Sequence, residues 1–313
     1  MDSNMDAAHA DVVCIGGANI DRKLRTLGRL QMGTSNPSVQ VEAFGGVARN
    51  VAENLARLGL PTQLISAVGD DAAGSALLAQ AASVGLSVRD TWVAPGAATG
   101  SYTAVLDGNG QMVLGLAAMP LTDQLIPQFL ERSGAGRTRA RLTVLDLNLP
   151  ASSVAFLLKE AREHGRALVA VAVSEPKMDR LPPDLRGLQC LILNRGELRT
   201  VLPEAKDDAE AFALLHGRGV QQIVLTQGAG GAICSQAGEA MRHLPAPAVE
   251  VVDVTGAGDA FAAGVCAGLC RSPQALATAC QLGLRLAALT VQTTATVHPE
   301  LSPAWLNALQ EST

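Results

Sequence analysis

The stretch DVTGAGDAFAAG, residues 253–264, places two carboxylates, Asp253 and Asp259, on either side of Gly256, Ala257 and Gly258, where an apolar helix begins. The first amides of a helix have no intrahelical partner, and the helix dipole is positive there. Small residues let such a backbone close around an anion, so residues 256–258 form a candidate anion hole for a phosphoryl group. Asp259 is a poor phosphate ligand, because it adds negative charge beside an anion. It is well placed to accept the proton of an attacking hydroxyl. An isolated Asp at a helix start reads as dipole stabilisation; the small residues and the second carboxylate tilt this one to catalysis. No GxxxxGK[ST] occurs, and no GxGxxG leads into a helix, so neither a P-loop nor a dinucleotide fold is supported.

Other residues gain meaning from their places on elements. The runs DVVCIGG (11–17), RLTVLDLN, RALVAVAVS, LQCLILN and QQIVLTQG are short and rich in Val, Ile and Leu. They read as buried strands separated by helices, which predicts a mainly parallel sheet covered on both faces. TQLISAVG reads as a further strand, VARNVAENLARLG (47–59) as a helix ending at Gly59-Leu60-Pro61, and DAAGSALLAQAASVG as another. Two segments, 30–46 and 99–119, break the alternation and read as antiparallel strands. The second holds a hairpin turning at Asp107-Gly108-Asn109-Gly110. By residue type alone, Asn194 and Glu197 make a reciprocal helix cap. TQGAGG (226–231) is a Gly-rich turn, Asp21 a turn residue and Ser35-Asn36-Pro37 a turn in the flap.

Composition narrows the function classes. The 313 residues are 48% hydrophobic, 17% charged and 3% aromatic, with a net charge of −5, which fits a globular enzyme and disfavours a general nucleic-acid binder. The basic cluster at 131–142 reads as a solvated helix end and loop. Six cysteines without a CxxC pair fit a reducing cytoplasm; Cys266 and Cys270, one turn apart in an apolar run, read as buried thiols. Residues 1–10 have no apolar core and read as a disordered tail, not a signal peptide.

DVTGAGDAFAAG resembles the C-terminal signature of the PfkB, or ribokinase-like, carbohydrate and nucleoside kinases, and GGVARNVAENLARLG (45–59) their N-terminal signature. The resemblance spans residues 11–311. It implies a doubly wound, mainly parallel α/β sheet with helices on both faces and a small β-sheet lid, one domain over 11–313 with lid segments near 31–45 and 98–118. It implies ATP with Mg2+, Asn194 at the phosphates, Glu197 holding Mg2+ through water, and Thr226 and Gly228 at the nucleotide. Asn19 and Asp21 would grip sugar hydroxyls, Gly45 and Gly46 would admit the sugar to the backbone, and Asn50 would bond to it. K+ is implied at Asp253 and Thr255, with Thr290.

Within the family, GTSNPSVQVEAFGGVARNVAENLARLG and VSEPKM resemble the pseudouridine kinases. That resemblance implies a kinase of the nucleoside's 5′-hydroxyl; the cysteines predict a cytoplasmic protein, the net charge and the shortness of the apolar helix AFAAGVCAGLC predict no nucleic-acid or membrane partner, and the β-insertions predict a homodimer through the lid. Thr34, Ser35 and Asn36 suit the alternating donors and acceptors of a uracil edge. Lys177, Ser101 and Tyr102 are further candidates. GLAAMP departs from the pattern, which calls for an acidic or polar residue before Met119. Ribose, adenosine or a ketohexose as acceptor, and a ligand-binding homologue without catalysis, are the alternative readings.

Overall fold

Strands rich in Val, Ile and Leu must be covered on both faces, and those runs build the centre of an eight-stranded sheet in the computed structural model, which describes residues 10–311. Val12–Ile15 (β1) pairs in parallel with Thr62–Ile65 (β4) on one side and Leu142–Asp146 (β9) on the other. The parallel ladder continues through Ala167–Val171 (β10), Cys190–Asn194 (β11) and Gln222–Thr226 (β12). Ala232–Gln236 (β13) and Arg242–Leu244 (β14) add antiparallel strands at that edge. The chain leaves β1 for β4 and later returns to β9 on the other side, so strand order reverses between β1 and β9. Open α/β sheets bind ligands in the crevice at such a point.

The helices divide between the faces. Val47–Arg57 (α1), Ala72–Ser83 (α2), Ala257–Arg271 (α8), Leu276–Thr290 (α9) and Pro303–Glu311 (α10) contribute to one apolar core. Pro127–Arg132 (α3), Ala151–His164 (α5), Arg195–Val201 (α6) and Asp208–Gly217 (α7) contribute to the other, with the short Gly134–Arg137 (α4) beside α3. Among the described residues no helix is long and apolar enough to cross a membrane.

A second sheet stands over the C-terminal edge of the first. Asn19–Thr26 (β2), Ser38–Gly45 (β3), Ser101–Leu106 (β7) and Met112–Ala118 (β8) run in the order β3–β2–β7–β8. This lid therefore takes in β2 as well as strands within 31–45 and 98–118. The β7–β8 hairpin turns at Asp107–Gly110. Residues 30–37 form no strand and serve as the tip of the β2–β3 hairpin.

Two local expectations differ from the structure. TQLISAVG is not one strand: after Ser66, whose hydroxyl donates to Gly16 O at 2.6 Å, Ala67–Gly69 (β5) pairs instead with Trp92–Ala94 (β6). The basic cluster is not wholly solvated, because Arg137 is buried, bonding both carboxylate oxygens of Glu160 (2.7 and 2.8 Å) and Leu130 O. The expected tail, apart from Ala10, lies outside the described residues.

Helices α8 and α9 cross closely because small residues face each other. A Cβ at Gly264 would lie 2.5 Å from Gly283 Cα, and one at Gly268 would lie 2.6 Å from Ala279 Cα. Since α8 also starts at the candidate anion hole, this crossing sets its height over the sheet. Gly264→Val should lower stability by about 1–3 kcal/mol through overpacking. A urea midpoint equal to wild type would show that the crossing tolerates the extra volume.

Candidate active site

The candidate residues converge where β1, β9, β11 and β12 end. At the switch point lies Asp146, the last residue of β9 and almost fully buried. Its carboxylate accepts from Gly17 N (2.9 Å), Ala48 N (2.8 Å), Asn148 N (2.9 Å) and Asn148 Nδ2 (3.1 Å). One side chain thus ties the β1 turn, the first turn of α1 and the β9 turn together. Burial raises its pKa, against the pull of those bonds. The signal that could have found it is a polar D-x-N step at the C-terminal end of a buried strand.

The start of α1 follows from this anchor. Gly46 caps the helix with φ +99°, and a Cβ there would overlap Gly17 O. A Cβ at Gly45 would overlap the Asp21 carboxylate, so this glycine admits Asp21 to the backbone. Asp21 on β2 accepts from Asn19 Nδ2 at 2.6 Å, and burial raises its pKa. One turn into α1, the buried Arg49 donates to Phe44 O (3.0 Å), Asn50 Oδ1 (2.9 Å) and Gln80 Oε1 (2.6 Å), and pairs with Glu53. Arg57 holds the other Glu53 oxygen at 2.8 Å. With its oxygen occupied by Arg49, the Asn50 amide presents its nitrogen outward and donates to Asp259 Oδ2 at 2.7 Å. The two signature segments, 209 residues apart, meet in that bond.

Asp259 lies in the first turn of α8, whose cap is Gly256 at φ +80°. A Cβ at Gly256 would overlap Thr296 O, whereas one at Gly258 would meet no atom within 4 Å. Ala257 N donates to Val254 O at 3.2 Å. The Asp259 pKa is pushed up to about 7, first by burial and then by the charges of Asp146 and Asp21, against the Asn50 bond and Arg49. A carboxylate titrating there is a usable general base near neutral pH.

Further along the edge, Asn194 and Thr226 are register partners on β11 and β12. Asn194 caps α6: its Oδ1 accepts from Glu197 N (3.0 Å) while its N donates to Glu197 Oε2 (2.7 Å). The reciprocal cap is therefore present. Burial raises the Glu197 pKa, and the neighbouring Glu175 charge adds to it. Thr226 Oγ1 bonds Leu193 O at 3.4 Å, and Gly228, at φ +57°, follows in the β12–β13 turn.

On the other side of the switch point a cavity of about 350 Å3 is lined by Ala117, Ala118, Met119, Asn148, Lys177 and Arg180 among others. Lys177 donates to Asn148 Oδ1, and Arg180 to Asn148 O and to Asp123 Oδ1 (3.0 Å). Burial lowers the Lys177 pKa. Register puts Ala117, Tyr102 and Asp21 in one row across the lid, linking this cavity to the Asp21 site; Ser101 lies beside Ile20.

Not every candidate joins this cluster. Thr34, Ser35 and Asn36 sit at the lid tip, beyond Thr26, which is about 17 Å along β2 from Asp21. Asn36 accepts from Gln31 N (2.8 Å) and donates to Gln31 O (2.8 Å) and Thr34 O (3.1 Å), so its amide staples its own loop. Asp253 and Thr255 both accept from Lys23, and the buried Thr290 donates to Leu286 O at 3.0 Å. Asp146, Asn148, Arg49, Arg180 and Lys23 are bonded within or beside this cluster, and the sequence reading assigned none of them a role.

A raised carboxyl pKa means that the folded state binds its proton more tightly than the unfolded state, so this group's contribution to stability falls as pH rises from about 4 to about 7. Asp259→Asn should therefore raise the melting temperature at pH 8 and raise it less at pH 5. An increment that is flat or larger at the lower pH would contradict the raised pKa.

Comparison with known proteins identifies the family. Residues 9–303 match the model of the pfkB family carbohydrate kinases. The chain is 34% identical to the pseudouridine kinase of Escherichia coli (strain K12) over 259 residues, 81% of this chain and 82% of that one. It is 30% identical to the ribokinase of Mus musculus, covering 70% of this chain and 68% of that one. Among solved structures, a carbohydrate kinase from Agrobacterium tumefaciens superposes with a TM-score of 0.80 at 30% identity, covering 96% of this chain and 97% of that one. With both signatures meeting at Asn50 and Asp259 under a β-sheet lid, this chain belongs to the pfkB family of carbohydrate kinases.

Proposed function

We propose that this kinase transfers the γ-phosphoryl group of ATP to the 5′-hydroxyl of pseudouridine. The observation that carries the reading is the Asp259 carboxylate in the first turn of α8, three residues after Gly256 and held by Asn50 at 2.7 Å, where burial raises its pKa. Asn19 and Asp21 bind the ribose hydroxyls, and Gly45 and Gly46 serve the sugar indirectly, by letting the Asp21 carboxylate and the Gly17 turn pack against the backbone beside it and not by admitting the sugar themselves. Asp259 takes the proton of the 5′-hydroxyl as that oxygen attacks in line. The first-turn backbone at 256–258 accommodates the transferring group, with open space beside Gly258. Asn194, Thr226 and Gly228 face the nucleotide phosphates.

Among the described residues no group of three or more His, Cys, Asp or Glu could cage a metal. That fits Mg2+, which keeps several waters and is bound largely by substrate phosphates. The hard carboxylate oxygens of Glu197, with Glu175 beside it, would hold it through water, and it would neutralise phosphate charge. K+ at Asp253, Thr255 and Thr290 would have to compete with the Lys23 ammonium. The lid supports a homodimer reading, because Val39, Val41, Met112, Val113, Leu114 and Leu116 are exposed on it.

For the base, Lys177, Asn148 and Arg180 supply donors suited to uracil carbonyls, and pseudouridine presents a ring N–H where uridine has C–H. The relative with 34% identity acts on pseudouridine by its name, which supports this choice. Ribose is the second reading, favoured by the small Ala117 and Ala118 where a polar residue was expected and by the ribokinase relative. An ATP-coupled assay over pseudouridine, uridine, ribose and adenosine should give the highest kcat/KM for pseudouridine. Lys177→Met should cut that preference by about one to two decades, the worth of roughly 1–3 kcal/mol for an unpaired polar group. Higher kcat/KM for ribose would replace the substrate but keep the kinase. No turnover of any acceptor would favour a ligand-binding homologue.

Asp259→Asn should bind both substrates and lose about 10²–10⁴-fold in kcat. In wild type, kcat should fall as pH drops below about 7, because the base is then protonated. Turnover close to wild type in the variant would remove Asp259 from the proton transfer.

A further inference from the structure

Alternate side chains of a strand share one face, so Asn19, Asp21 and Lys23 on β2 point the same way. Arg22, on the opposite face, stays within the lid and pairs with Glu42 at 2.7 Å. Lys23 instead leaves the lid. Its ammonium donates to Asp253 Oδ2 at 2.6 Å and to Thr255 Oγ1 at 2.7 Å, across 230 residues of sequence. Asp253 shapes the turn ahead of the anion hole, because its Oδ1 accepts from Thr255 N (2.8 Å) and Thr255 Oγ1 (2.6 Å). The same segment is tied to α9 through Val252 N and Asp253 N, which both donate to Val291 O. The lid strand that carries Asp21 is therefore bonded, two residues later, to the turn that ends at Gly256.

We propose that Lys23 is a positioning residue that latches the lid onto the phosphoryl-transfer turn, so that seating of the acceptor by Asp21 and ordering of the Gly256 turn occur together. The latch rests on the kinase activity of the family and not on which acceptor is used. Without it, the lid closes less completely, water reaches the site, and part of the phosphoryl flux goes to hydrolysis. The pair is partly exposed, with side-chain exposures of 34% for Lys23 and 25% for Asp253. Removing it should therefore leave the fold intact.

The test uses Lys23→Met, Lys23→Arg, Asp253→Asn and the Lys23→Met/Asp253→Asn double variant, each compared with wild type on the best acceptor of the panel. Lys23→Met and Asp253→Asn should each lower kcat about tenfold, the low end for hydrogen bonds to a charged group. The double variant should be no worse than the poorer single one, and Lys23→Arg should recover part of the loss. ADP formed per phosphorylated acceptor should rise above one in Lys23→Met, and added methylammonium should lower it again. Hydrogen exchange reads the latch without any substrate: peptides covering 19–26 and 253–256 should both exchange faster in each single variant. Unchanged kcat and exchange in Lys23→Met would overturn the proposal, as would losses that multiply in the double variant. If no acceptor is turned over by wild type, the substrate reading fails, and the exchange data alone decide the latch.

Discussion

A buried carboxylate is costly unless hydrogen-bond donors converge on it, and the site is organised around one that has four. Asp146 collects the amides of Gly17, Ala48 and Asn148 and the Asn148 side chain. Those donors belong to the β1 turn, the α1 start and the β9 turn, so none of the three can shift alone without stranding a buried charge. Gly16 and Gly17 follow from the same constraint, since a Cβ at either would collide with the Asp146 or Asn148 side chain. Through Ala48 the anchor sets the register of α1, and through α1 it sets where Asn50 meets Asp259.

Burial raises the Asp259 pKa, and crowding of acids adds to it. Asp146 and Asp21 act on Asp259 through their charges, Arg49 acts against them, and Arg49 is itself held by the buried Glu53. Its charge is thus partly offset before it reaches Asp259. A free arginine beside Asp259 would hold that carboxyl far below neutrality and make it a weak base. The Arg49–Glu53–Arg57 chain orients the Asn50 amide toward Asp259.

The sheet sets the candidate groups along one edge. Asp146 ends β9, Asn194 and Thr226 are paired at the ends of β11 and β12, and Asn50 on α1 joins the start of α8 to the Asp146 side. Because β2 belongs to the lid and also carries Asp21, that carboxylate moves with the lid. Asp71 holds the entry to β7, accepting from Thr99 N (2.8 Å) and Thr99 Oγ1 (2.5 Å).

Much of this was legible in the residues. Apolar runs with helices between them predicted a mainly parallel sheet covered on both faces, the Asp-Gly-Asn-Gly turn predicted the β7–β8 hairpin, small residues between Asp253 and Asp259 marked a helix start suited to an anion, and the two signature segments implied the doubly wound sheet with its β-sheet lid. Such features are local, encoded within one element or one turn. The roles of Asp146, Arg49 and Lys23 were not legible, because the D-x-N step after β9 and the Arg49–Glu53 spacing mark a polar strand end and a helical ion pair without naming the remote groups that they hold, and Lys23 has no local partner at all. Their partners lie 98, 31 and 230 residues away in Ala48, Gln80 and Asp253. Asn36 illustrates the converse: its type suited a base edge, yet its amide is consumed by its own loop. The sequence by itself determined which elements form and which groups could react, since both follow from local periodicity and residue type. Only the tertiary structure decided which charges face each other and how far each is from water, and those two quantities set the basicity of Asp259.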